Sequence, residues 1–190
     1  MIIIEEVDKL KKYLLAIILL LSIVLISGCT TSGNQTTTNT STGMKSYNGD
    51  QFNFNYPSNW QIITSQAQNS TIAVGDPTSA DNSGNVQVNV EIQTAVKPSN
   101  VTIQDYYNST YAQFAAQNLG YKQLSDGTIT VGGKTALENV YILSSVSKEQ
   151  RAVWIQNGNT IYIILCSAPI SQYNNQQDTF NTIINSFKLV

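Results

Sequence analysis

Apolar and polar residues alternate along much of the chain beyond residue 50, as in strands that are buried on one side. Phe52, Phe54 and Tyr56 alternate with polar residues, and Pro57 ends the run. Because successive side chains of a strand point to opposite faces of a sheet, this period predicts a half-buried strand. Further strands are predicted at residues 60–63, 72–74, 86–92, 128–131, 134–143, 150–156 and 160–166.

Two segments instead repeat their apolar residues with the period of a helix. The first begins at a capping pair, in which Thr102 is the cap and Asp105 replaces the usual Glu or Gln, and Gly120 follows its C-terminus. The second covers residues 171–187. The apolar stripes are Ile103, Tyr107, Tyr111 and Phe114 in the first helix, and Tyr173, Phe180, Ile183, Ile184 and Phe187 in the second.

The order of these elements predicts an α+β fold. Turn signals at Gly132-Gly133 and at Asn157-Gly158-Asn159 join neighbouring strands into hairpins. Hairpins imply a mainly antiparallel β-sheet, and helices with a single apolar stripe pack on the faces of a sheet. The alternation leaves open whether one face of the sheet is covered or both.

The N-terminus has the features of a secreted lipoprotein precursor. Its apolar stretch, residues 14–26, is about 13 residues long, whereas a spanning helix needs roughly 20. It closes with Leu25-Ile26-Ser27-Gly28-Cys29, the pattern of a lipobox. We therefore expect residues 1–28 to be a cleaved signal peptide and Cys29 to carry a diacylglyceryl group, whose two acyl chains give stable anchoring. The alternative is an uncleaved N-terminal anchor with a coincidental cysteine.

The segment after Cys29 is almost wholly Thr, Ser, Asn and Gly. Such a segment buries too little apolar surface to offset its ordering entropy, so residues 29–46 are predicted to be a lipidated, flexible stalk and residues 47–190 a single globular domain. The chain also contains Asn-x-Ser/Thr motifs for N-glycosylation, several of which an Asn- and Thr-rich composition produces by chance. The candidate asparagines are Asn34, Asn39, Asn69, Asn100 and Asn108.

The composition argues against most catalytic chemistry. The chain contains no histidine, which is the commonest general base and a common zinc ligand. Beyond Cys29 its only cysteine is Cys166, which lies in an apolar run and is predicted to be a buried structural residue. The 10 Lys and Arg residues nearly balance the 12 Asp and Glu residues, which argues against nucleic-acid binding. We predict no catalytic residues, no metal site and no cofactor.

Two other features are candidate binding sites. The loop at residues 76–85 contains oxygen ligands suited to Ca²⁺, but its spacing differs from that of an EF-hand, and an exposed loop explains it as well. Core packing accounts for most of the aromatic residues, including Trp60 and Trp154 in predicted strands. Tyr106, at the flank of the first helix stripe, is the aromatic residue most open to a binding role.

Three segments resemble PsbP-like domains, a family named for an extrinsic subunit of photosystem II. Phe52 to Trp60 matches an F-x-x-x-Y-P-x-x-W motif, Gly132 to Ala136 a Gly-Gly-Lys-x-Ala hairpin, and Phe180 to Phe187 a terminal F-x-x-I-x-x-S-F helix. The segments occur in family order across nearly all of residues 47–190. The resemblance implies an antiparallel sheet sandwiched between helices, an α/β/α sandwich.

The resemblance implies little about activity, because related domains serve as assembly factors and binding modules. The neutral stalk here stands where the photosynthetic subunit has its charged N-terminal segment, so a role in oxygen evolution is not expected. Together these features favour a prokaryotic surface lipoprotein, anchored by lipid at the extracytoplasmic face of the cell membrane, whose non-catalytic domain binds a protein or cell-envelope partner. The alternative is a small-molecule or ion-binding lipoprotein.

Overall fold

The structure is a computed structural model that describes residues 38–40, 43–65 and 67–190. Its two helices are α1 (Ile103–Ala116) and α2 (Tyr173–Ser186), and short 3₁₀ turns lie at Pro77–Ser79 and Ser144–Val146. The strands are β1 (Thr38–Thr40), β2 (Met44–Asn48), β3 (Phe52–Pro57), β4 (Gln61–Ile63), β5 (Ser70–Gly75), β6 (Asn89–Val96), β7 (Tyr121–Val131), β8 (Lys134–Leu143), β9 (Lys148–Asn157), β10 (Thr160–Pro169) and β11 (Lys188–Leu189).

These strands form two antiparallel sheets, as the hairpin signals predicted. The main sheet has the order β4-β5-β6-β10-β9-β8-β7, and the small sheet has the order β1-β2-β3-β11. Gly132 and Gly133 turn the β7–β8 hairpin with φ values of 56° and 79°. Both positive φ values belong to the turn that matches strand twist, in which glycine is favoured.

Both faces of the main sheet are covered, which settles the question that the alternation left open. One face, called here the α2 face, carries Val90, Ile92 and Ile164 and packs against α2 and the small sheet. The opposite face, called here the α1 face, carries Trp154 and Ile163 and packs against α1. The predicted α+β fold with helices on the sheet faces is therefore confirmed.

The residues that carry the family resemblance lie in the core on the α2 face. Phe187 is buried, as its place in the predicted stripe requires, and its ring stacks on Phe52 with a centroid distance of 5.3 Å. The other motif residues in this cluster are Tyr56, Trp60, Ala136, Phe180 and Ile183. The motifs therefore describe the packing of this face of the sheet.

The predicted helix start is also confirmed, because the Thr102 hydroxyl accepts a hydrogen bond from the backbone N–H of Asp105 at 3.1 Å. The last helix is shorter than predicted, since α2 ends at Ser186 and Phe187 continues into extended backbone. Tyr106, which the sequence analysis singled out for a binding role, is not available at the surface. It is buried, and its ring packs edge-on against Trp154 at 6.0 Å because the stripe of α1 is one residue wider than predicted.

The ordered structure begins before the predicted domain boundary at Tyr47. Strand β2 pairs with β3 from Met44, and Lys45 Nζ donates a hydrogen bond to the carbonyl oxygen of Trp60 at 3.0 Å. Strand β1 in turn pairs with the first residues of β2. The assignment of residues 44–46 to a flexible stalk is thus wrong, because backbone pairing to a neighbouring strand holds a segment whose side chains show no apolar pattern.

Within the part of the chain that the structure describes, no helix has the length and apolar character needed to span a membrane.

Candidate functional site

The α1 face of the main sheet begins with a layer of aromatic side chains beneath α1. Trp154 Nε1 donates a hydrogen bond to the Tyr111 hydroxyl at 3.1 Å, and both side chains are buried. Tyr107 OH reaches over the sheet and donates to the carbonyl oxygen of Glu138 at 2.9 Å. Burial raises the pKa of Tyr111 well above its usual range, so its ring is a neutral hydrogen-bonding group rather than an acid. The layer is therefore a hydrogen-bonded aromatic core.

A small pocket lies between α1 and the sheet, with a volume of about 20 Å³. A volume of that size holds about one water molecule, whereas sites for drug-sized ligands measure roughly 300–1,000 Å³. The pocket is lined by Gln93, Thr110, Tyr111, Phe114, Tyr141, Ala152, Trp154, Ile163 and Leu165. In this conformation it leaves no room for a larger ligand.

Next to the pocket, β6 carries a buried hydrogen-bond network. Glu91 pairs across the sheet with Leu165, and Gln93 pairs with Ile163, so both polar side chains lie on the α1 face. Gln93 Nε2 donates to Glu91 Oε1 at 3.3 Å. Asn69 Nδ2 donates to Gln93 Oε1 at 3.2 Å, which ties the connection between β4 and β5 to the network.

The hydroxyl group of Ser65 also belongs to this network. Ser65 Oγ donates to Glu91 Oε1 at 3.0 Å. The side chain of Glu91 is 0% exposed. Burial raises the pKa of Glu91, while hydrogen bonds from Ser70, Ser65 and Gln93 act in the opposite direction. Glu91 is therefore a fully buried acid whose ionisation the fold opposes.

A further polar row crosses the same face one step along the strands. Asn89 pairs with Ser167, and Gln150 Nε2 donates to Ser167 Oγ at 3.3 Å. At the end of the row, Lys148 Nζ donates to the carbonyl oxygen of Gln87 at 2.7 Å. Burial lowers the pKa of Lys148 to about 8, although the nearby Asp81 acts to raise it. The row fixes the loop after β5 to the sheet.

The buried side-chain atoms without a hydrogen-bond partner in the described structure share two properties. All are oxygen atoms that accept and do not donate, and three of their residues lie on β6 or β8 on the α1 face, with the fourth joined to them through Gln93. The atoms are Asn69 Oδ1, Asn89 Oδ1, Glu91 Oε2 and Asn139 Oδ1. The donors of the described protein therefore leave these acceptors unpaired, whereas most buried polar atoms in folded proteins are hydrogen-bonded.

Strand β7 forms one edge of the main sheet and is the most exposed strand of that sheet. It is 11 residues long, and the strand at the opposite edge, β4, has 3. Val131 pairs with Lys134 across the two-residue turn, so alternate residues point their backbone groups toward β8. The backbone groups of Thr128 and Thr130 consequently point away from the sheet. A register shift at Leu124, which is 45% exposed, interrupts the edge.

The structure separates the candidate modification sites predicted from the sequence. Cys29 and Asn34 lie outside the described residues, and Asn39 lies in β1. Asn100 and Asn108 are exposed. Asn69 is 8% exposed, and the amide nitrogen that a glycan would use donates to Gln93. The folded arrangement leaves no space for a glycan at Asn69, so Asn100 and Asn108 are the better candidates among the described sequons.

The residues considered for chemistry are engaged in local structure. Burial raises the pKa of the Cys166 thiol to about 12, as suits a buried structural cysteine. In the 76–85 loop, Asp76 accepts from the backbone N–H of Thr78 at 2.9 Å, and Asp81 accepts from that of Asn85 at 2.9 Å. Among the described residues, no group of three or more His, Cys, Asp and Glu side chains is placed to hold a metal ion.

The sequence pattern did not reveal the network around Glu91. The alternation of Val88, Val90 and Ile92 assigns the intervening polar residues to solvent, whereas Glu91 and Gln93 are buried. The sequence contains one relevant signal, because the alternation of β6 places Glu91 and Gln93 on the same face of the sheet. In the structure, helix α1 and the β4–β5 connection cover that face. A polar face can be covered by other elements, and the period alone does not show this.

A sequence model of the family described as PsbP-like protein matches residues 13–189. Among solved structures, the chain is similar to the cyanobacterial PsbP (CyanoP) of Synechocystis sp. PCC 6803, with a TM-score of 0.58 and 15% sequence identity over 85% of this chain and 98% of that chain. At this identity the likeness shows the fold alone. No curated protein is significantly similar to the chain.

Two further solved structures have lower similarity. The Ran-binding protein Mog1p of Saccharomyces cerevisiae has a TM-score of 0.49 and 10% identity, over 84% of this chain and 97% of its own. LpqN of Mycobacterium tuberculosis, described as involved in cell envelope biogenesis, has a TM-score of 0.46 and 14% identity, over 83% and 91%. Because both TM-scores are under 0.5, neither likeness bears on the function of this chain.

Proposed function

The chain belongs to the PsbP-like family, and from that premise we propose that it is a lipid-anchored protein of the extracytoplasmic membrane face whose domain binds a protein or cell-envelope partner without catalysis. The observation that carries the proposal is the exposed edge strand β7. An exposed edge offers backbone donors and acceptors that a partner strand pairs with. The pocket of about 20 Å³ beneath α1 offers far less contact area.

The anchoring part of the proposal rests on the lipobox, Leu25 to Cys29, after a short apolar stretch. Lipidation adds a mass that intact-protein mass spectrometry detects directly. We expect the wild-type protein to begin at Cys29 with a diacylglyceryl group and to partition with membranes. The Cys29→Ser variant is expected to be released or to remain an uncleaved precursor. An unmodified Cys29 thiol in wild-type protein from its native host contradicts the anchoring proposal.

The binding part is tested at the edge strand with a substitution that spares the sheet. Because the N–H of Thr128 points away from β8, Thr128→Pro removes an outward donor and leaves the β7–β8 ladder intact. The matched control is Thr128→Ala, which keeps the N–H. A photo-crosslinking side chain at Ser125, with one at the exposed Asn174 on α2 as control, identifies the partner in membranes.

The purified partner then decides between outcomes. We expect crosslinking from Ser125 and not from Asn174, and affinity that falls with Thr128→Pro and is retained with Thr128→Ala. Equal affinity of both Thr128 variants, or a partner that crosslinks only at Asn174, shows that the edge strand is not the binding surface.

The non-catalytic part is supported by the side chains that the fold brings together. Lys134, one of the groups that would serve chemistry beside an acid, contacts the Asn157 Oδ1 oxygen at 3.4 Å instead. Glu91 is buried beside amide and hydroxyl groups, and its carboxyl group is not exposed to a solvent-filled cleft. We expect the purified domain to show no hydrolase, transferase or redox turnover. Turnover that is lost on mutating Glu91 or Lys148 contradicts this.

One observation favours the alternative of a small-molecule or ion-binding lipoprotein. Three residues with unpartnered oxygen atoms are bonded to or paired with residues that line the pocket: Asn69 with Gln93, Glu91 with Leu165 and Asn139 with Ala152. These oxygen atoms would accept hydrogen bonds from a donor-rich ligand. Native mass spectrometry of protein from its own host tests this alternative. A co-purifying small molecule whose retention is lost with Trp154→Ala supports ligand binding, and unliganded protein supports partner binding.

A further inference from the structure

Glu91 differs from the other acids of the described chain in being fully buried, with 0% of its side chain exposed. It lies in the middle of the main sheet, beside Leu165 of β10 and Ala73 of β5. An ionised carboxylate in such a place requires either a cation or several hydrogen-bond donors to offset its lost hydration.

Two donors meet hydrogen-bond geometry at one of its two oxygens, and the nearby Ser70 hydroxyl also favours the ionised form. Oε1 accepts from Ser65 Oγ and Gln93 Nε2, and Oε2 has no hydrogen-bond partner in the described structure. Asn69, which joins the network through Gln93, also has an unpartnered oxygen. Both unpartnered atoms are acceptors. A proton on Oε2 turns that oxygen from an acceptor into a donor.

No described group near Glu91 supplies a compensating positive charge. The β4–β5 connection contributes Ser65 and Asn69, and neither β5 nor the α1 face of β10 carries an ionisable side chain. The ionisable groups of α1 that face the sheet are its tyrosines, which burial keeps neutral. On β9, Lys148 directs its ammonium group to the carbonyl oxygen of Gln87. The causes of the raised pKa of Glu91 are consistent with this, since burial is the largest and no cation contributes.

We propose that Glu91 is a neutral acid in the folded domain, and that ionisation of this fully buried carboxyl group, which has no cation beside it, loosens the packing of Ser65 and Asn69 against strand β6. The α1 face is then a pH-sensitive part of the domain, closed when Glu91 is protonated and loosened as the pH rises. Glu91 thereby acts as a positioning residue that couples the surrounding pH to the structure beside the pocket.

The direction of the effect follows from the proton balance. A carboxyl group whose pKa is higher in the closed state than in the open state binds more protons when closed. Closure is therefore fully stabilised below the ordinary glutamate pKa of about 4.3 and weakens as the pH rises toward the raised value. Within that window, the opening equilibrium increases by up to about tenfold per pH unit, and it levels off above the window.

The direct test is a ¹³C NMR titration of the Glu91 side-chain carboxyl in the full-length protein in detergent. We expect its transition to lie clearly above the ordinary value of about 4.3. A transition at or below that value means that the folded protein contains the carboxylate, and it overturns the proposal. This measurement needs no variant and is independent of anchoring and of partner binding.

Hydrogen exchange tests the structural consequence with a matched pair of variants. The amide of Ser70 donates to the Ala67 carbonyl oxygen at 3.1 Å, and the amide of Thr94 donates to that of Asn69 at 3.0 Å, so both report on the contact. Glu91→Gln imitates the neutral acid, because one side of its amide accepts hydrogen bonds and the other side donates them. Glu149→Gln is the control, because Glu149 is partly exposed and pairs with the end of β10.

After correction for intrinsic exchange, we expect the wild-type protection of Ser70 and Thr94 to fall with rising pH within the window. The Glu149→Gln variant should behave as wild type does, and Glu91→Gln should keep constant protection. Identical pH profiles for wild type and Glu91→Gln show that the proton does not hold the contact, and this result overturns the proposal.

Discussion

Truncation of Phe187 tests whether the family motifs describe the core on the α2 face. Phe187 is 1% exposed and stacks on Phe52 at 5.3 Å, and Tyr162 lies at 6.4 Å from its ring. Replacing a fully buried Phe by Ala removes its transfer free energy and leaves a cavity, at a cost of about 3–5 kcal/mol. The lost aromatic pairs account for about 0.5–1.5 kcal/mol each within that range. Since a domain of this size is stable by roughly 5–15 kcal/mol, Phe187→Ala should remove about a fifth or more of its stability.

The assay is urea unfolding of the full-length protein in detergent, followed by tryptophan fluorescence. Trp60 lies in the same cluster as Phe187 on the α2 face, and Trp154 lies on the α1 face, so the two residues report on both sides of the sheet. A cooperative domain gives the same midpoint with either residue as the probe. The control is Val190→Ala, because Val190 is 79% exposed and its truncation should change stability by less than about 0.5 kcal/mol.

Two results refute the reasoning. A loss below about 1 kcal/mol for Phe187→Ala, with an unchanged dependence on urea, means that the ring is not buried as described. A midpoint that shifts at Trp60 and not at Trp154 means that the two faces unfold separately, so that the sheet does not unite them into one cooperative unit.

Two further substitutions or probes test the α1 face and the buried thiol. Tyr111→Phe leaves Trp154 Nε1 without its acceptor and should cost about 1–3 kcal/mol in urea unfolding, and Trp154→Phe should cost less in that background than in the wild-type protein. Cys166 in the Cys29→Ser variant should react with a thiol reagent only on unfolding, because its thiol is buried with a pKa of about 12, and rapid labelling of the native protein contradicts its burial.

Periodicity predicted those parts of the fold in which side chains alone decide the structure. Phe52, Phe54 and Tyr56 alternate and are all buried on the α2 face, and the capping pair at Thr102 marks the start of α1. In both cases the determining interaction lies within a few residues, either as a shared face or as a local hydrogen bond. Such interactions are visible in the sequence.

Strand β2 and the network at Glu91 could not be predicted in the same way, for different physical reasons. Residues 44–46 are ordered by backbone pairing with β3, and such pairing places no demand on side-chain polarity. Glu91 and Gln93 occupy the polar positions of an alternating strand, and they are buried because Ser65 and Asn69 from a separate connection pack over them. In both cases the deciding partner is distant in sequence or contributes only backbone atoms.

The motif residues that carry the family resemblance and the residues of the candidate function lie in different parts of the molecule. The resemblance therefore predicts packing rather than function. Phe52, Trp60 and Phe187 lie in the core on the α2 face, where they determine packing. The network around Glu91 lies on the α1 face, and the exposed strand β7 forms an edge of the sheet. Neither contains a motif residue, although the Gly132-Gly133 motif begins at the turn that follows β7. Under the two proposals, a chain can keep every motif residue while partner binding changes through Thr128 and the response to pH changes through Glu91. Experiments on function belong at those two positions, because substitutions in the motifs report on folding.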